Sequence, residues 1–83
     1  MSQLEKLYMR VASSPGNVRF EDLIRLAEAV GFVLKRTRGS HHMFRHQQNP
    51  ALRLTVQPIQ GKAKPYQVKE LLEIIEREHL WGW

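Results

Sequence analysis

Apolar positions in the first thirty residues recur at the spacing of a helix face. Leu4, Leu7, Tyr8 and Val11 fall at i, i+3, i+4 and i+7, which predicts a first helix. Ser2 followed by Glu5 fits a capping box at its start. The run Ser13-Ser14-Pro15-Gly16-Asn17 ends it in a loop. Phe20, Leu23, Ile24 and Ala27 repeat the helical spacing, predicting a second helix from about 20 to 30. Glu21 and Asp22 suit its positive end, and Gly31 suits the position just past its last turn.

From Phe32 onward the pattern changes to alternation. Strands are expected at 32–37, from His41 or His42 to about His46, and at 52–57. Arg38-Gly39-Ser40 reads as a tight turn, 47–50 as the next connection, and 58–64 as a basic loop around Gly61. Pro65 fits the first turn of a last helix marked by Val68, Leu71, Leu72 and Ile75. The order α-α-β-β-β-α with short connections predicts an α+β fold. Its sheet would be a three-stranded antiparallel meander with the helices packed on one face.

Period two then sorts the strand side chains. Leu52, Leu54 and Val56 are expected to face the helices, leaving Arg53, Thr55 and Gln57 on the open face. In the second strand Phe44 goes inward with His42 and His46, so His41, Met43 and Arg45 point outward. In the first, Phe32 and Leu34 are assigned inward, and Val33, Lys35 and Thr37 outward.

Charge adds a direction to this picture. The net charge is +5, but residues 1–30 are balanced, with four basic and four acidic side chains. Residues 65–83 carry two basic side chains against four acidic ones. Between them, residues 31–64 hold Lys35, Arg36, Arg38, Arg45, Arg53, Lys62 and Lys64, no acid, and three of the four histidines. Such segregation points to a polyanionic partner. With 83 residues there is room for one small domain. It divides into a helical extension over 1–19, a core over 20–79 and a tail over 80–83. No apolar run approaches the ~20 residues of a membrane span, and the charged first ten residues do not read as a signal peptide. A cytoplasmic domain is therefore expected.

Histidine takes and gives protons near neutrality. RNA cleavage needs a base for the 2′-OH, an acid for the leaving 5′ oxygen and cations for the charge that builds on phosphorus. The open face offers His41 among Lys35, Arg45 and Arg53; residue types alone leave it structural, phosphate-binding or catalytic. A metal site is not expected, since strand alternation separates His41 from His42 and no Cys, Asp or Glu lies nearby. No cofactor is implied. His79 falls where a cation favours a helix C-terminus. Trp81 and Trp83 can stack on bases or a partner, or fold back over the first helix as added core.

The run Gly31-Phe32 followed by Arg36-Thr37-Arg38-Gly39-Ser40-His41-His42-Met43-Phe44-Arg45-His46 is similar to the core motif of HicA-type toxins. The later Gly61-Lys62 and Lys64-Pro65 lead into a helix at the matching position, and the resemblance covers roughly 20–75. It implies a double-stranded-RNA-binding-domain-like fold, ribosome-independent mRNA cleavage and a HicB-type antitoxin partner. It also implies that His41, the first histidine after Gly-Ser, is the essential residue. Gly39 and Ser40 would be the turn that presents it. Lys35, Arg36, Arg38, Ser40, Arg45, Arg53, Lys62 and Lys64 are then the candidates for contacting RNA phosphates. The chain departs from the family pattern in its first nineteen residues. It also has Gln57-Pro58-Ile59-Gln60 where many members place a further histidine. A relative that binds RNA without cleaving it, or a basic module for an acidic protein, is the alternative.

Overall fold

Apolar periodicity sets most element boundaries in the computed structural model, which describes residues 2–81. Two helices come first, α1 (Gln3–Ser13) and α2 (Phe20–Ala29). Strands β1 (Phe32–Arg38), β2 (His41–His46) and β3 (Arg53–Val56) follow, then the short pair β4 (Pro58–Ile59) and β5 (Lys62–Ala63), and finally helix α3 (Pro65–Glu78). The fold is α+β: β1, β2 and β3 form an antiparallel sheet in that spatial order, and the three helices supply its apolar cover.

Local backbone chemistry bounds the helices. The Ser2 hydroxyl accepts from the Glu5 amide at 3.0 Å, as the Ser/Glu pattern predicted. Gly31, with φ at +109°, turns the chain out of α2. His79 closes α3 in a left-handed conformation, and the following Leu80 amide reaches the Ile75 carbonyl at 3.0 Å. The role of His79 is thus a backbone cap, and its ring lies edge-on to Trp81 at 5.6 Å. Leu80 packs against the core; the expectation for Trp83 lies outside the described residues.

One apolar cluster joins all the layers. Leu7 and Val11 of α1 share it with Leu23, Leu26 and Ala27 of α2, with Phe32, Phe44, Leu54 and Val56 of the sheet, and with Val68, Leu71 and Ile75 of α3. The first helix is tied twice more. Arg10 pairs with Asp22 at 3.3 Å, and the Tyr8 hydroxyl donates to Glu76 at 2.7 Å. Partial burial, with help from the adjacent Glu76 carboxylate, pushes Tyr8 up to about 12.

The structure corrects four of the expectations. Leu34 is 43% exposed although it stands opposite buried Phe44, because β1 is an edge strand with no further strand beside it among the described residues. Thr37 pairs with His42 and so belongs to the helix side, since the β1–β2 register shifts between Leu34 and Arg36. The first strand runs on through Arg38, which pairs with His41. The segment 58–64 is a hairpin rather than a loop. Gln60 and Gly61 both take positive φ, the requirement of a type I′ turn, and its inner strand donates from Ala63 N–H to the Val18 carbonyl at 2.8 Å.

Close packing marks the place where α2 meets the sheet. His46 is 3% exposed; its Nε2–H donates to the Val30 carbonyl at 2.8 Å, and its Nδ1 accepts from the Gln48 amide at 3.2 Å. The ring meets Phe32 edge-on at 5.2 Å. A Cβ on Gly31 would stand 2.5 Å from His46 Nε2. Gly31→Ala therefore combines an unfavourable φ with an overlap, and should lower stability by about 2–4 kcal/mol, read as a drop in the urea midpoint with the slope unchanged.

Tyr8 gives a second test. Its folded pKa lies above its unfolded value, so its neutral, bonded form contributes stability below pH 10 that is lost as pH rises through about 12. Melting temperatures across that range should fall more steeply for the native chain than for Tyr8→Phe. Equal slopes would remove the Tyr8–Glu76 contact from the account.

Candidate nucleic-acid interface

The β1–β2 turn presents the first candidate histidine. Gly39 has φ at +59° and Ser40 does not share that sign, the arrangement of a type II′ turn with glycine first. The turn joins Arg38 and His41, which pair directly across the strands. His42, the next residue, points to the helix side. Its Nδ1–H donates to the Ser40 carbonyl at 3.0 Å, and its ring meets Phe20 edge-on at 5.1 Å.

Residues directly opposite one another in an antiparallel pair share a face. Three rows follow on the side away from the helices: Val33 with Arg45 and Arg53, Arg36 with Met43 and Thr55, and Arg38 with His41. The register shift at Lys35 creates this set. It sets two residues, Lys35 and Arg36, against one on β2, so Arg36 and Arg38 join the open face that alternation had assigned to Lys35 and Thr37. Lys35 itself is exposed and stands outside the paired rows.

Distances along the strand divide the cations. Arg38 is the direct cross-strand neighbour of His41. Arg45 lies four positions further along β2, roughly 13 Å away at ~3.3 Å per residue, with Arg53 beside it. Lys62 and Lys64 are not brought into these rows. Lys62 sits in the separate hairpin, its Nζ donating to Asn17 at 3.0 Å, and Lys64 forms the N-cap of α3.

The face is also electrically uniform. The ion pairs of the described residues join Arg10 and Arg25 to Asp22, Arg19 to Glu21, and Arg77 to Glu78. Among the described residues none of the seven cations in 31–64 pairs with a carboxylate. Three surface cavities, of about 450–550 Å³, are lined from the helices and the α1–α2 loop, away from the three rows. A flat, cationic, acid-free face suits an extended polyanion better than a small enclosed ligand. Among the described residues no group of three or more His, Cys, Asp or Glu side chains is placed to hold a metal ion, and no helix is long and apolar enough to cross a membrane.

Arg38, a phosphate candidate from its charge but expected in the turn, stands instead at the end of β1 opposite His41. No signal in the run Lys35-Arg36-Thr37-Arg38 marks the shift, because all four are polar.

The two neighbouring histidines should separate cleanly by mutation. His42→Ala removes a ring contact and a hydrogen bond, and should cost about 1–2 kcal/mol of stability. His41→Ala should stay within about 0.5 kcal/mol. Denaturant melts of both variants check this, and equal losses would mean that the outward placement of His41 is wrong.

Residues 20–76 match the family model described as HicA toxin of bacterial toxin–antitoxin systems. No curated protein and no solved structure matches the chain.

Proposed function

The chain belongs to the HicA toxin family of bacterial toxin–antitoxin systems, and on that premise we propose that it is a metal-independent mRNA endoribonuclease acting in the cytoplasm. The observation that carries this reading is His41 on an acid-free, cation-lined face, directly opposite Arg38. His41 acts as the proton acceptor for the RNA 2′-OH. The 2′ oxygen attacks phosphorus, the bond to the 5′ oxygen breaks, and that oxygen takes a proton from water, whose hydroxide is neutralised by the proton that His41 then releases. The products are a 2′,3′-cyclic phosphate and a 5′-hydroxyl.

Arg38, with Arg36 and Lys35 behind it, offsets the charge that builds on phosphorus. Arg45 and Arg53 hold phosphates further along the strand, and Gly39-Ser40 sets the height of His41. Lys62 and Lys64 contribute to the general positive potential rather than to the reacting phosphate. A HicB-type antitoxin silences the chain by covering this face.

A second reading has one observation in its favour. The three rows contain a single histidine, and the strand exit carries Gln57-Pro58-Ile59-Gln60, with the Gln57 amide donating to Gln67 at 3.0 Å. A site short of a second proton donor would bind RNA without cutting it.

Induced expression of the native chain and of His41→Ala in a bacterial host tests both. The native chain should arrest growth and fragment mRNA into pieces ending in cyclic phosphate, and purified His41→Ala should cleave about 10²–10⁴ more slowly. RNA affinity should fall with salt, and Arg45→Ala and Arg53→Ala should each reduce the slope of log K against log salt by about 0.7. Salt-dependent binding without new RNA ends would replace the nuclease with the binding reading.

A further inference from the structure

The edge of the sheet carries a feature that RNA cleavage leaves unused. β1 has a strand on one side only, it is seven residues long, and every residue after Phe32 is exposed. Leu34 and Phe44 are direct partners on the same face, yet Phe44 is 3% exposed and Leu34 43%. The difference is the missing neighbour outside β1. Val33, on the open face, is 38% exposed. The opposite edge is less inviting: β3 is four residues long, and Gln67 already occupies the Gln57 amide just past its end.

We propose that the free edge of β1 docks an extended, acidic segment of a protein partner, which adds to the sheet as a fourth strand. In such pairing main-chain hydrogen bonds supply affinity and alternate side chains supply selectivity. Charge selects the occupant. β1 carries Lys35, Arg36 and Arg38, no acid, and no ion pair among the described residues. A second copy of β1 laid alongside would set cations against cations, which destabilises a cross-strand pair. An acidic strand meets the opposite situation, and an apolar side chain beside Leu34 would complete the helix-side layer. The antitoxin is the natural carrier of such a segment, a clause that rests on the toxin reading; the docking itself does not.

Amide hydrogen exchange on the full chain, followed by NMR, tests this with two synthetic peptides of equal length, one alternating Glu and Val, the other Lys and Val. The Glu–Val peptide should slow exchange of amides within 32–38, and the Lys–Val peptide should not. Leu34→Glu replaces that apolar contact with a charge and should weaken the effect by roughly threefold to fivefold, the upper part of the range for one cross-strand pair. Leu34→Thr keeps strand propensity and removes the apolar contact, so it gives the same reading should Leu34→Glu fold poorly. Unchanged exchange with both peptides overturns the proposal, as does equal protection by both. Protection of β1 that grows with protein concentration and needs no peptide overturns it in favour of a second copy. Because the readout is exchange at β1, a chain that fails to cleave RNA still decides the question.

Discussion

The hydrogen bond from His46 to the Val30 carbonyl determines which side of the sheet every later residue faces. It holds the end of α2 against the end of β2, with Gly31 leaving the ring its space. Phe32 and His46 then pair as the first rung of the ladder, both on the helix side. Period two carries that parity back along β2 through Phe44 to His42. His41 is left on the other face because His46 is buried on this one. A histidine with structural hydrogen bonds on both ring nitrogens thus fixes the position of one that makes none with its side chain among the described residues. The two kinds are indistinguishable by residue type and separable by parity.

The irregularity at Lys35 is the second constraint, and it acts only on β1. Without a register shift, an arginine at 38 would face the helices beside His42. With it, Arg38 crosses to His41 while Phe32 and Leu34 keep the helix side. Bulges re-aim side chains without moving the strands that flank them, and here the effect is to concentrate guanidinium groups at the turn. The second row gains Arg36 beside Met43 in the same way. No buried side chain had to change for this to happen, since everything in β1 beyond Phe32 is exposed.

Those two constraints explain what could be read from the sequence and what could not. Leu54 and Val56 are apolar and their neighbours polar, so the phase of β3 was legible, and Phe44 did the same for β2. The run from Lys35 to Arg38 has no apolar member after Leu34, so alternation there carries no phase and a one-residue shift is invisible. Leu34 misled because its burial depends on strand order, which no local pattern encodes. The β4–β5 hairpin was missed because Gln60 takes a positive φ, a conformation turn rules reserve mostly for Gly, Asn and Asp. The helices were legible throughout, since each couples a regular apolar stripe to a definite stop.

Charge segregation follows from the same layering. The carboxylates sit on or beside helices, where Asp22 pairs with Arg10 and Arg25, Glu21 with Arg19 and Glu78 with Arg77 while Glu76 bonds Tyr8, and the cations of the sheet have no carboxylate partner among the described residues. Holding Arg36, Arg38, Arg45 and Arg53 on one small face costs self-repulsion that the fold does not offset internally. That cost is relieved when a polyanion or an acidic chain arrives, so binding and release of strain are the same event. The open face and the free edge of β1 share Arg36 and Arg38, so the proposed RNA on the face and the proposed acidic strand on the edge would draw on the same charges. Occupation of either one weakens the field available to the other, even where the two do not touch.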